Sequence, residues 1–275
     1  MNRVVRIALM IEGQEDVTWD DWVALAETCE RSGIEALFRS DHYLSVFGAN
    51  ERSALDAWGT INALAARTTT LQLGTLVSPA SFRHPSILAK LAVTADHVSG
   101  GRVSLGLGTG WSEVEHTAYG FPFLELKERM DVLEEHLQIV RGHWSPGSFA
   151  FHGEHYTLEA LDAHPKPLGA LPLIMGGSAG PRAARLAAAY ADEYNTVNPS
   201  VEEVRERRAA IAAACEKTGR DPIPFSVMFP FNDDVVDRLR EFEAAGASRA
   251  YLQHLQHRDL ERVEWIGREV VPAVA

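Results

Sequence analysis

Asp41 and His42 stand side by side in the stretch FRSDHYLSV, residues 38–46. An imidazole with an ordinary pKa near ~6.5 can take or give a proton at cellular pH. A neighbouring carboxylate can orient it or stabilise its charge. Two glycine-rich stretches carry other chemistry. GLGTGW, 106–111, places Gly108, Thr109, Gly110 and Trp111 where the backbone either makes a tight turn or lets a flat ring come close. It does not fit the dinucleotide fingerprint: Gly106 and Gly108 would need a third glycine at Trp111, and Gly108 and Gly110 would need one at Glu113. MGGSAGPRAAR, 175–185, runs Gly176, Gly177, Ser178 and Ala179 into a helix opened by Pro181. Free backbone N–H groups at such a helix start favour a phosphate, although an ordinary strand-to-helix turn has the same form. The Gly-Lys-Ser/Thr ending of a P-loop is missing.

These residues need elements to position them, and the chain alternates. Short runs rich in Val, Ile and Leu read as buried strands at Val4–Ile11, Ala36–Phe38, Thr70–Val77, Val103–Leu107, Leu171–Met175, Tyr194–Val197, Phe225–Phe229 and Arg249–Gln253. Helical stretches follow at Trp19–Ser32, Ala54–Arg67, Pro85–Val98, Leu126–His143, Pro181–Tyr190, Val201–Lys217, Asp234–Ala245 and Leu260–Val270. Between Trp144 and Leu171 the rhythm breaks, and WSPGSFAFHGEHYTLEA reads as a small hairpin inserted before the fifth strand. Strands alternating with helices predict a parallel sheet, and eight such units predict one (β/α)8 TIM barrel over residues 1–275. An open doubly wound sheet is the alternative. In a barrel the site lies at the C-terminal ends of the strands, which is where Asp41, His42, Gly108–Trp111 and Gly176–Ala179 fall.

Composition excludes several functions. The net charge of −12 disfavours a nucleic-acid partner. No apolar run approaches the ~20 residues of a membrane span, and the N-terminus reads as a strand rather than a signal peptide. Two distant cysteines, Cys29 and Cys215, suit a reduced, cytoplasmic protein. The four lysines, Lys90, Lys127, Lys166 and Lys217, all lie away from strand ends, which disfavours Schiff-base chemistry. No His-x-His follows the first strand, and His152 and His155 belong to the hairpin, so no metal site is expected.

Taken together, SDHY at 40–43, LGTLVSPASFRHP at 73–85, SGGRVSLGLGTGWSEVEHTAYG at 99–120, FHGEHYTL at 151–158 and HPKPLGALPLIMGGSAGPR at 164–182 resemble the luciferase-like flavin and deazaflavin oxidoreductases. The resemblance covers nearly the whole chain. RSDHY with GTGW and EHTAYG looks most like the branch that uses the deazaflavin F420. The resemblance implies the same barrel, a tricyclic ring across its mouth, and a non-proline cis peptide joining Leu76 and Val77, just before Ser78, against that ring. It implies that Gly108, Thr109 and Gly110 pass along the other edge, that Gly176, Gly177, Ser178 and Ala179 hold a phosphate, and that the protein is a homodimer. His42 is implied beside the reactive face, with Asp41 bonded to the ring edge or fixing the imidazole tautomer. Sugar-phosphate-oxidising members carry an acid where this chain has Trp111. Trp111, Tyr43 and Phe47 imply a more apolar pocket, and 275 residues imply a reduced segment after the seventh strand.

The expected function is F420-dependent hydride transfer to or from a small organic substrate. An FMN-dependent monooxygenase on the same barrel is the second reading, and a flavin-binding protein without turnover the third.

Overall fold

The computed structural model describes residues 5–275, so the predicted first residue of strand 1, Val4, lies outside the described residues. Eight parallel strands close into a barrel. In ring order they are β1 (Arg6–Ile11), β2 (Ala36–Arg39), β3 (Gln72–Thr75), β5 (Val103–Gly108), β8 (Leu173–Gly176), β9 (Glu193–Val197), β10 (Phe225–Pro230) and β11 (Arg249–Gln253), which pairs back to β1. Registers such as Leu9 to Leu37 and Leu9 to Leu252 hold the ring together. Along β1, Ala8 and Met10 face the barrel interior with Phe38, Ile174, Met228 and Tyr251. Ile7, Leu9 and Ile11 face the outer layer of helices. Both faces of each strand are thus buried, which explains the continuous apolar runs.

The helices match the predicted spans closely where capping chemistry marks them. Thr18 accepts from the Asp21 N–H, and the Asp21 carboxylate accepts from the Thr18 N–H, so α1 (Trp19–Ser32) starts where expected. The second helix starts later than expected. The Asp56 side chain accepts from the Gly59 N–H and so begins α2 at Ala57 (Ala57–Arg67). The expected third strand is divided. It stops at Thr75, the Leu76–Val77 peptide is cis, and Ser78–Pro79 form a short strand, β4, bonded to β5 outside the ring. Helix α3 (Pro85–Ser99) follows. A helix not foreseen in the sequence, α4 (Glu113–Tyr119), sits between β5 and α5 (Leu126–Trp144). The inserted hairpin is present as β6 (Phe149–His152) and β7 (Thr157–Leu161). The Glu135 carboxylate on α5 accepts from the N–H groups of Glu154, His155 and Tyr156 and ties down its turn. The remaining helices are α6 (Pro181–Tyr190), α7 (Val201–Lys217), α8 (Val235–Ala244) and α9 (Leu260–Trp265), which runs on through a π-helical stretch (Ile266–Val270) into the short α10 (Val271–Ala273). Only Phe231–Asp234 link β10 to α8, so the segment after the seventh barrel strand is short, as expected.

Gly106 shows why β5 is so rich in glycine. A Cβ there would lie 2.0 Å from the Thr75 carbonyl oxygen, and one at Gly108 would lie 2.7 Å from Val77. Close packing against β3 and the Leu76–Val77 segment, rather than a turn, requires these two residues. Gly110, at φ +77°, is the true turn residue. Gly106→Ala is therefore expected to destabilise the fold by about 1–3 kcal/mol through overpacking, read as a lower midpoint in urea unfolding. An unchanged midpoint would show that β3 gives way at no cost.

Candidate functional site

The C-terminal mouth of the barrel holds a cleft of about 690 Å³. Leu76, Val77 and Met228 give it an apolar floor. Gly108, Thr109 and Gly110 form one wall, and Gly176 and Gly177 form another. His42 and Trp111 line it together, with ring centroids 5.6 Å apart and planes at 72°. Phe47, Trp111, Val197 and Leu255 ring the opening at 57%, 64%, 55% and 49% exposure, so Trp111 stands beside the imidazole rather than plugging the cleft.

His42 is fixed by a residue that sequence reasoning did not assign. Its Nδ1 lies 2.7 Å from Glu115 Oε2, on α4, and Glu115 is almost completely buried. The same carboxylate accepts from the N–H groups of Tyr43 and Leu44. One buried acid thereby holds the imidazole and the loop that carries it. Burial pulls the His42 pKa down. The hydrogen bond and charge of Glu115, helped by Glu12 and Asp41, more than reverse this, so the pKa is raised. Burial pushes the Glu115 carboxyl up, but its bonds to His42 and the two backbone N–H groups hold it below the usual range. The pair is a charged imidazolium–carboxylate over the window these shifts define. The His42 contribution to stability is present below its unfolded pKa near ~6.5 and is lost as pH rises through the higher folded value. The Glu115 contribution is present above the ordinary carboxyl range and is lost as pH falls through the lower folded value. Because Nδ1 is taken, the unpartnered Nε2 is the nitrogen left for a ligand.

Asp41 does something other than fix the imidazole. It is buried and bonded to Ser78 Oγ at 2.6 Å and to both Arg83 nitrogens, at 2.6 and 3.1 Å. Arg83 also pairs with Asp56 at 2.6 Å and donates to the Tyr43 hydroxyl. Asp41 and Ser78 therefore lie behind the floor, supporting the Leu76–Val77 segment, and neither lines the cleft. Tyr43 is not a cleft wall either. Its ring packs on Phe82 and Tyr119, and its hydroxyl donates to Asp56. Arg39, which the sequence left without a role, is buried against Trp22, with its guanidinium bonded to Thr60 and to the Leu55 and Ser40 carbonyls.

Where a phosphate is expected, Gly177 and Ala179 have positive φ, and Gly180 precedes α6 as its N-cap with no side-chain cap, leaving the first N–H groups of the helix open. The Ala179 N–H is already used, donating to the Tyr194 hydroxyl at 2.9 Å. Ser178 and Ala179 do not line the cleft, whereas Gly176 and Gly177 do. Three polar residues at strand ends were not singled out in the sequence: Glu12, Asn195 and Gln253 all line the cleft. Gln253 donates to Glu12 at 2.5 Å. All three lie at or next to the C-terminal half of a strand, so the barrel rule alone could have flagged them. No cluster of three metal-binding side chains occurs among the described residues, and no helix there is long and apolar enough to cross a membrane.

Residues 5–265 match the family model for luciferase-like monooxygenases. The chain is 32% identical over 255 residues to an FMNH2-dependent dimethylsulfone monooxygenase of Pseudomonas putida, covering 91% of this chain and 66% of that protein. It is 29% identical over 214 residues to an F420-dependent hydroxymycolic acid dehydrogenase of Mycobacterium tuberculosis, covering 78% of this chain and 58% of that protein. The chain thus spans less than two thirds of the length of either relative. Its fold superposes on that of an F420-dependent secondary alcohol dehydrogenase solved with an F420–acetone adduct, with a TM-score of 0.87, 18% identity and 99% of each chain covered. With residues 5–265 matching its model, the chain belongs to the luciferase-like monooxygenase family.

Proposed function

We propose that the protein is an F420-dependent oxidoreductase that moves a hydride to or from a small, uncharged organic substrate. One observation carries this reading: His42, in the cleft, with Nδ1 held by buried Glu115 and Nε2 free. The cleft suits a flat ring. Its floor is apolar and its walls are glycine, and a Cβ added at Gly176 would come no closer than 3.5 Å to Val77. Leu76, Val77 and Gly108–Gly110 would hold the ring, and the open N–H groups at the start of α6 would hold a phosphate. Among the described residues no Lys or Arg lines the cleft, which suits an uncharged substrate.

Bound there, F420 supplies a carbon that accepts or releases a hydride. The protein does the rest. As imidazolium, His42 Nε2–H stabilises negative charge as it develops at the mouth and can pass its proton to an alkoxide, and as neutral imidazole the same nitrogen can take a proton from an alcohol. Glu115 keeps the imidazole protonated and aimed. On its floor side the apolar surface lowers the local dielectric and strengthens both interactions.

Glu115→Gln keeps an acceptor for Nδ1–H but removes the charge that raises the His42 pKa. The pKa is then expected to fall, and in the carbonyl-reducing direction the limb of the kcat–pH profile that requires imidazolium should move to lower pH, with activity lost first at neutral pH. An unmoved profile would take the proton role away from His42.

A second reading, an FMN-dependent monooxygenase, is favoured by the 32% identity over 91% of the chain to an FMNH2-dependent enzyme. The four exposed apolar residues at the mouth count against it, because oxygen chemistry on a reduced flavin needs shelter from water. A fluorescence titration with oxidised F420 and with reduced FMN tests the choice. Tight binding of F420 is expected, and binding of FMN alone would reverse the assignment.

A further inference from the structure

The cleft continues past its rim. Two smaller cavities adjoin it, and Leu255 lines all three. One, of about 270 Å³, shares Glu12 and Phe47 with the cleft. The other, of about 380 Å³, lies beside Phe231 and Arg262 and shares Pro230 and Gln253 with it. Their charged groups are already engaged. Glu15 pairs with Arg52. Glu12 accepts from Gln253 and Gln14. Arg262 pairs with Asp233 at 2.5 Å and stacks over Trp265 at 4.1 Å. Asp259 accepts from the Arg262 N–H. Beside the His257 Nε2 of the smaller branch, which is buried without a hydrogen-bond partner, what these branches offer a ligand is apolar surface, above all Phe47 and Leu255. These side chains stand half in water at a cleft mouth, where exposed apolar area marks a binding surface.

The backbone behind Leu255 is firmly held. The His254 N–H donates to the Met10 carbonyl at 2.9 Å, and its Nε2 lies 3.2 Å from the Asp259 carbonyl. Leu255 is thus a fixed apolar post where the three cavities meet rather than a loose loop residue.

From this geometry we propose that Phe47 and Leu255 hold the uncharged apolar body of the substrate, the part that does not react. Leu255, at the branch point, is the specificity-determining residue. The inference rests on the reading that the reacting end lies at His42. It names the substrate class more narrowly: an alcohol or carbonyl compound with an extended aliphatic or aryl body and no charge at its far end.

Calorimetric binding to the protein alone tests this, using straight-chain secondary alcohols each one methylene longer than the last. The dissociation constant is expected to fall about fourfold per methylene, the value for full burial of that group. Leu255→Ser is expected to reduce the step to less than about twofold. Leu255→Trp, which fills the junction, should weaken the longer members most. Leu161→Ser, on the exposed hairpin, should keep the ladder. A carboxylate at the far end of a long member should weaken binding. A flat ladder in the parent protein, an unaltered ladder in both Leu255 variants, or tighter binding of the carboxylate would overturn the proposal. A steep ladder without turnover on either cofactor would sink the proposed reaction and leave the pocket assignment standing. Turnover with a flat ladder would do the reverse.

Discussion

His42→Ala is expected to lower kcat by about 10²–10⁴-fold, the usual contribution of a positioned acid–base group, while the protein still folds and still binds F420. The reasoning is geometric. In the proposed arrangement Leu76–Val77 and the glycine walls hold the ring, and their place in the cleft owes nothing to the imidazole. His42 adds only the Nε2 proton and positive charge facing the cleft. The loss should therefore fall on kcat rather than on cofactor affinity, and steady-state kinetics beside a fluorescence titration would separate the two. A variant that keeps its turnover would show that Glu115 holds His42 for structure alone.

Asp41→Ala, one residue away, is expected to fail differently. Asp41 and Arg83 form a buried pair, and the carboxylate also accepts from Ser78 at 2.6 Å. Removing one partner of such a pair costs about 3–5 kcal/mol. Arg83 keeps Asp56 at 2.6 Å, which puts the expected loss at the lower end, about 3 kcal/mol. Ser78 follows the Leu76–Val77 segment directly, so cofactor affinity should fall along with stability. Urea unfolding would show the first effect and titration with F420 the second. A variant of unchanged stability would mean that Asp56 alone neutralises Arg83.

The contrast between these neighbours marks where sequence reasoning runs out. The barrel was legible because each strand is buried on both faces and helices carry local signals, such as the Thr18 cap of α1. The rim was legible because strand ends converge in a barrel. Partnership across the rim was not. His42 and Asp41 are adjacent in sequence, which invited a pairing of the two. Successive residues leaving a strand point in opposite directions, so His42 faces the cleft and Asp41 faces Arg83. Glu115 is 73 residues from His42, on a helix of about two turns whose pattern is too short to stand out. Only the Ser112 and Gly120 that bracket it hinted at its presence. Tyr43 was misplaced for a related reason: an aromatic residue beside a site can serve its scaffold, and here the ring joins Phe82 and Tyr119.

The most direct test of the account is anaerobic mixing of the protein and oxidised F420 with short secondary alcohols deuterated at the carbinol carbon. The account predicts loss of ring fluorescence in step with ketone formation, a slower rate for the deuterated than for the unlabelled alcohol, and no need for oxygen. Substrate consumption that requires both reduced FMN and oxygen, with no reaction of F420, would contradict it.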